Sequence, residues 1–231
     1  QRLIYRHIAW LYSLRSQLLL PTSWEHISQG WGVRRKALMY RKRFGVGLLD
    51  DADMQKMLKK YIPKEEYDTL INFKNTATQI IDTQAQDLQH LRKLDFIDDF
   101  RHMELQKILY DFYIHQGKCE RIKKFPLPRQ YGGASFVFVA IFIFLLPLGM
   151  VSEFHNLGEW GAWVSIPFTV LVSWVFLMME LVGDYSENPF EGLGNDIPML
   201  SLCRVIEIDL LEMLGEKDIP QGIEAKNGVL I

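Results

Sequence analysis

The chain has 231 residues, 48% of them hydrophobic and 23% charged, with a formal net charge of −2. That balance suits an ordinary soluble domain and excludes a protein made of membrane spans alone, yet the average conceals a mixture: a front part rich in Lys, Arg, Asp and Glu, then a stretch holding the apolar excess. Two cysteines, Cys119 and Cys203, exclude a disulfide framework and a CxxC metal pattern and fit a reducing compartment.

Position 1 is Gln rather than Met and no signal peptide follows, so the natural start is expected upstream. Residues 1–20 place Ile4, Ile8, Leu11, Leu14 and Leu18 at helical spacing, with Arg2, Arg6 and Arg15 interrupting the remaining surface, and Pro21 stops the pattern. Two readings stay open: a helix packed on one face within a bundle, or a helix on a membrane surface. Residues 22–49 are less regular, with Trp24 and Trp31 near Gly30 and Gly32. The segment RRKALMYRKRF then predicts a short basic helix, with six Lys or Arg among the ten residues 34–43. Such density invites a nucleic-acid or anionic-lipid patch. No aromatic stacking platform or known nucleic-acid module accompanies it, so a solvated or headgroup-facing helix is expected, and no nucleic-acid partner.

Asp50 and Asp51 read as caps for DADMQKMLKKYI, and Pro63 with Glu65 and Glu66 opens a helix predicted to run to about residue 94. Residues 48–116 contain no Gly and a single Pro, so long, nearly uninterrupted helices are expected there. In the run 95–124, Leu105, Ile108, Leu109 and Phe112 share one face at roughly 100° per residue, and Phe96, Met103, Tyr110 and Ile114 fall nearly opposite. A helix apolar on two opposite faces needs two partners: the subunit core for one, a neighbouring subunit or a central axis for the other.

Residues 130–152 carry no charge, and after a short polar loop neither do residues 160–179. Each run is long enough to cross a bilayer core of about 30 Å as a helix. Phe154, Trp160 and Trp163 flank the loop, where the headgroup region favours aromatic side chains. Pro147 and Pro167 do not exclude helices, because neighbouring helices satisfy the backbone groups that proline frees. Residues 130–182 are therefore expected to form a transmembrane hairpin. Arg121, Lys123, Lys124 and Arg129 crowd its entrance while the loop has no Lys or Arg, which places both hairpin ends in the cytoplasm. A cytoplasmic helical region at 1–129 and a cytoplasmic segment at 183–231 follow. In the latter, DYSENPFEGLGND is turn-forming, Asn195 caps a helix from about Pro198 to Leu214 with Leu202, Val205, Ile206, Ile208 and Leu211 as its apolar side, and Gly215 ends it. The tail from 216 onward is expected to be ordered only by contact with other subunits.

Chemistry-bearing groups are few. Asp98, Asp99, His102 and Glu104 form the one dense His/carboxylate cluster, and Asp98 with His102 has a helical i, i+4 spacing that a metal would accept. No second ligand pair or HExxH accompanies them, so a solvated polar face is expected and no metal. Glu180 and Asp184 near the end of the second span are either coordinating groups or ordinary helix-end charges. With no GxSxG, P-loop or GxGxxG, nothing demands an enzyme or a cofactor.

IDDF at 97–100, CERIKKFPLPRQY at 119–131 directly before the first span, ENPF at 187–190, NDIP at 195–198 and CRVIEIDLL at 203–211, in this order, resemble the bestrophin family in its bacterial branch, and the opening RLIYRHIAWLYSLR resembles the cytoplasmic helix after that family's first membrane hairpin. The resemblance implies an all-α membrane protein, a transmembrane helical hairpin with a cytoplasmic helical bundle. It implies a homopentameric ion channel with an axial pore, conducting chloride or other anions, or sodium in the bacterial branch, with the chain itself, membrane lipids and permeant ions as partners in the cell membrane. The family's neck-lining hairpin would precede Gln1. Asn188, Pro189, Phe190 and Asp196 match its motif. Animal members bind calcium with an acidic cluster after NPF. Here only Glu191 and Asp196 follow, too few for an ion that takes six to eight oxygen ligands, so NPF is expected to be a structural turn. Counted back from Cys119, Met103 matches an apolar residue that constricts the cytoplasmic end of the pore in family members. A ring of thioethers there would narrow the path by size and dewetting, and packing against another helix is the alternative. A rival function is a non-conducting membrane adaptor that binds a partner protein through its cytoplasmic helices.

Overall fold

The computed structural model describes residues 1–44, 51–125, 129–158, 160–194, 196–225 and 228–230, which are helical with no strand. The helices are α1 (Arg2–Leu18), α2 (Trp31–Phe44), α3 (Asp51–Tyr61), α4 (Lys64–Leu70), α5 (Thr76–Lys93), α6 (Asp99–Lys124), α7 (Arg129–His155), α8 (Gly161–Ser186) and α9 (Met199–Met213), with a 3-10 turn at His26–Ser28. They form two units, one of Gln1–Lys124 with Pro189–Ile231 and one of Phe125–Asn188. The caps expected from Asp50 and Asn195, the side chain of Asp51, and positions 126–128 of the Pro-containing motif lie outside what the structure describes.

In the larger unit α1 is the central helix, packed by α3, α5, α6 and α9. This is the bundle alternative of the two left open by its sequence, with one correction. Burial is not confined to one face, for Arg6 and Arg15 are as buried as Ile8, Tyr12 and Leu18. Ile8, Leu18, Leu58 and Ile80 are fully enclosed, each contributing about 1.5–3 kcal/mol of apolar burial. Arg6 is tolerated inside because Glu66 accepts from its Nε at 2.7 Å and its Nη2 at 2.6 Å, while Asp87 accepts from its Nη1.

The long helix expected from Pro63 to about 94 is two helices. Residues 71–75, INFKN, are rich in poor helix formers, and Asn75 caps α5 by accepting from the Thr78 N–H at 2.9 Å. A second break separates α5 from α6. Asp95 adopts φ 58°, and the Phe96 N–H donates back to the Leu91 carbonyl at 3.1 Å. The chain re-enters a helix with Asp98 as its cap, accepting from the Arg101 N–H at 2.7 Å. Absence of Gly and Pro did not secure continuity, because Asn and Asp supply both the left-handed turn and the caps.

Gly215 ends α9 as expected. At φ 70° it donates to Glu212, and the Glu216 N–H reaches the Leu211 carbonyl at 3.1 Å, the paired bonds of a left-handed helix end. The apolar side expected from the sequence is not the buried side, however. Leu202, Val205 and Ile206 are exposed, and the buried side consists of Ser201, Cys203, Glu207 and Leu211. Glu207 replaces an aliphatic residue on that face because its carboxylate is met by partners from other helices.

The smaller unit is a helical hairpin. α7 and α8 lie side by side, with Phe142 against Phe176 (ring centroids 4.5 Å) and Phe154 against Phe168 (5.2 Å). Pro147 and Pro167 lie inside continuous helices. Gly133–His155 and Gly161–Ser186 are long and apolar enough to cross a membrane, and their large side chains are mostly exposed, the reverse of what core helices of a soluble protein show.

Candidate ion-conduction elements and the loop before the last helix

Length, composition and outward apolar faces give the hairpin the character of a lipid-facing pair. A polar contact links its two helices: the Ser135 hydroxyl donates to the Glu180 carboxylate at 2.6 Å. Glu180 is thus tied to α7 rather than being a bare helix-end charge.

On α6 the two-faced pattern is present but shifted in phase. Leu109 is buried and Phe112 packs on Trp10 (centroids 4.9 Å), whereas Leu105 and Ile108, expected on the same core face, are exposed. Polar residues complete the core side. Buried Gln116 accepts from Trp10 Nε1 at 2.9 Å and donates to Thr78 Oγ1 at 2.8 Å. Met103 lies on the other side of the helix at 63% exposure, with Phe100 and Tyr110 also exposed and Phe96 exposed just before the helix begins. It is therefore available to something outside its own unit.

Next to it, the acidic cluster has ordinary tasks. Asp98 caps α6, and Asp99 pairs with Arg92. That pairing holds the Asp99 carboxyl below its usual range, through the Arg92 hydrogen bond first and its charge second. Among the described residues no group of three or more His, Cys, Asp or Glu is placed to hold a metal ion.

The loop between α8 and α9 is a dense polar knot. Phe190 is buried at φ 59°, an unusual conformation for a bulky residue. Asp196 holds it there: Oδ1 accepts from the N–H groups of Phe190 (2.9 Å) and Ile197 (2.8 Å), and Oδ2 accepts from that of Gly192 (2.7 Å). The Phe190 carbonyl accepts from Lys123 Nζ at 3.0 Å, and Arg41 donates to the Glu191 carbonyl. The Glu191 carboxylate faces His26 Nδ1 at 2.8 Å, and Lys123 pairs with buried Glu25. Asp196 therefore fixes the turn. Lys123, read from the sequence as one of four flanking positive charges, is an interior residue. No periodicity could identify it, since its partners Glu25 and Phe190 are distant in the chain.

Further buried chemistry was equally invisible. Cys203 packs under α1 with its thiol pushed up to about 11 by burial, so it stays protonated and unreactive at neutral pH. Glu207 accepts from the Tyr12 hydroxyl at 2.5 Å and from that of Tyr61.

A family model described as Bacterial/Fungal Bestrophin protein matches residues 1–212. The chain is 29% identical over 168 residues to the voltage-dependent anion channel-forming protein YneE of Escherichia coli K12, covering 72% of this chain and 53% of that one. It is 28% identical over 170 residues to the voltage-dependent anion channel-forming protein mll4386 of Mesorhizobium japonicum, at 74% and 52% coverage. A crystal structure of a bacterial bestrophin homolog from Klebsiella pneumoniae superposes with a TM-score of 0.70 at 22% identity, covering 93% of this chain and 66% of that one. The chain spans about half the length of the curated relatives it matches. The structural likeness establishes a bestrophin fold.

Proposed function

The chain belongs to the bacterial and fungal bestrophin family, and from that membership we propose that it is a subunit of a homopentameric channel conducting chloride or other small anions across the cell membrane. The observation that carries this is the pairing of the bestrophin fold with two outward-apolar helices of membrane-spanning length; relatives named as anion channel-forming proteins support the choice of ion. The exposed apolar arcs of α6 and α9 give five copies surfaces to share. α7 and α8 cross the bilayer, lipids cover their apolar faces, and residues 1–129 and 183–231 lie in the cytoplasm, where exposed Arg121 and Lys124 mark the inner side. Met103 faces the axis and narrows the cytoplasmic end of the path. Asn188, Pro189, Phe190 and Asp196 form the turn that sets the last helix in place.

Reconstitution of the full-length protein into planar bilayers tests this. Unitary currents that reverse at the chloride equilibrium potential are expected. Reversal at the sodium potential would assign cations instead, and silence at every voltage would favour the membrane adaptor. In the same assay Met103→Ala is expected to change the relative permeability of ions of different size without altering assembly. Unchanged ratios would remove Met103 from the pathway.

A further inference from the structure

Two arginines of α1 are buried to the same degree and treated in opposite ways. Arg6 has two carboxylates, Glu66 and Asp87. Arg15 is 4% exposed, and among the described residues its guanidinium meets no hydrogen-bond acceptor and no carboxylate; its Nε is fully enclosed without a partner. The groups nearest it electrostatically, Cys203 and Tyr12, are neutral at physiological pH, since burial pushes the thiol up to about 11 and the phenol above its usual range. Burial lowers the Arg15 pKa as well, yet an arginine does not lose its proton in a protein. A buried charge left uncompensated is among the most destabilising features a fold can carry.

Arg15 lines a partly open cavity of about 20 Å³, whose walls include Leu19, Phe190, Gly192, Asp196 and Leu200. That is room for one water-sized occupant. Asp196, the acid among these residues, directs both carboxylate oxygens to the backbone N–H groups of Phe190, Gly192 and Ile197, so its charge is committed to the turn. A water would satisfy N–H groups but not the charge, whereas a monoatomic anion does both in the same volume. We propose that the cavity between α1, the NPF turn and α9 binds a single halide-class anion on the Arg15 guanidinium. The site lies within the larger unit and does not depend on conduction. It ties occupancy by the anion to the packing of the NPF turn.

Crystals of the full-length, detergent-solubilised protein grown with bromide in place of chloride provide the direct test, because bromide scatters anomalously. An anomalous peak in the cavity against Arg15 is expected. Density without anomalous signal there, or a side chain or backbone group of a neighbouring subunit seated on Arg15, would overturn the site. Melting in chloride and in gluconate at equal ionic strength gives a second measure: chloride is expected to raise the wild-type midpoint by about 2–4 °C. Arg15→Met abolishes the difference and Arg15→Lys reduces it. Equal wild-type midpoints in the two salts, or a chloride effect that survives in both variants, would count against binding at this place.

Discussion

Glu207 is fully enclosed by donors from three helices: Tyr12 of α1, Tyr61 of α3 and Arg204 of α9 itself, whose Nη1 lies 3.2 Å from Oε2. Burial first, and the hydrogen bonds to Glu207 second, push both phenols above their ordinary range, so both remain donors at any physiological pH. The carboxylate is a hub: removing it strands two buried hydroxyls and takes away the partner of half-buried Arg204. Glu207→Gln is expected to lower unfolding stability by about 1–3 kcal/mol, and Glu207→Ala by about 3–5 kcal/mol. Thermal or chemical unfolding of the detergent-solubilised protein measures both, and a Glu207→Ala variant as stable as wild type would show that the hub contributes nothing. Arg15 and Lys123 belong with Glu207. All three are ionisable residues whose burial follows from partners or cavities contributed by distant segments.

The helices α6 and α9 share a design in which one arc enters the core with polar members and another arc of large apolar side chains stays outside. On α9 the outside arc is Leu202, Val205, Ile206 and Met213; on α6 it includes Met103 and Tyr110. Hydrophobic patterning identifies such an arc but not whether it meets its own chain. In the hairpin the turn is set by backbone crowding. A Cβ on Gly161 would lie 1.8 Å from the Phe154 carbonyl oxygen and 2.7 Å from its carbon, so the backbone would have to open. Gly161→Ala is therefore expected to destabilise the hairpin by about 1–3 kcal/mol, read as a lower melting midpoint in detergent. An unchanged midpoint would mean that the turn relaxes freely.

For the whole molecule, the proposed homopentamer leads to one expectation about assembly. Mass measurement of the solubilised full-length particle is expected to give five times the subunit mass, and a monodisperse monomer would rule the pentamer out. Much of the architecture was determined by sequence alone. Two uncharged runs of spanning length dictate a hairpin in any apolar solvent, and Pro21 and Gly215 set helix ends through local backbone geometry. The ordered motifs from IDDF to CRVIEIDLL carried the family. These signals are local, so they survive without knowledge of any partner. Only the tertiary structure decided which face of α9 is buried, that Lys123 and Arg15 are interior, and that Asp196 closes a backbone turn. The buried face of α9 and the burial of Lys123 depend on partners far away in the chain, Tyr12 with Glu207 and Glu25 with Lys123. Periodicity records how apolar a helix face is, whereas a buried charge is stabilised by groups that only folding brings to it.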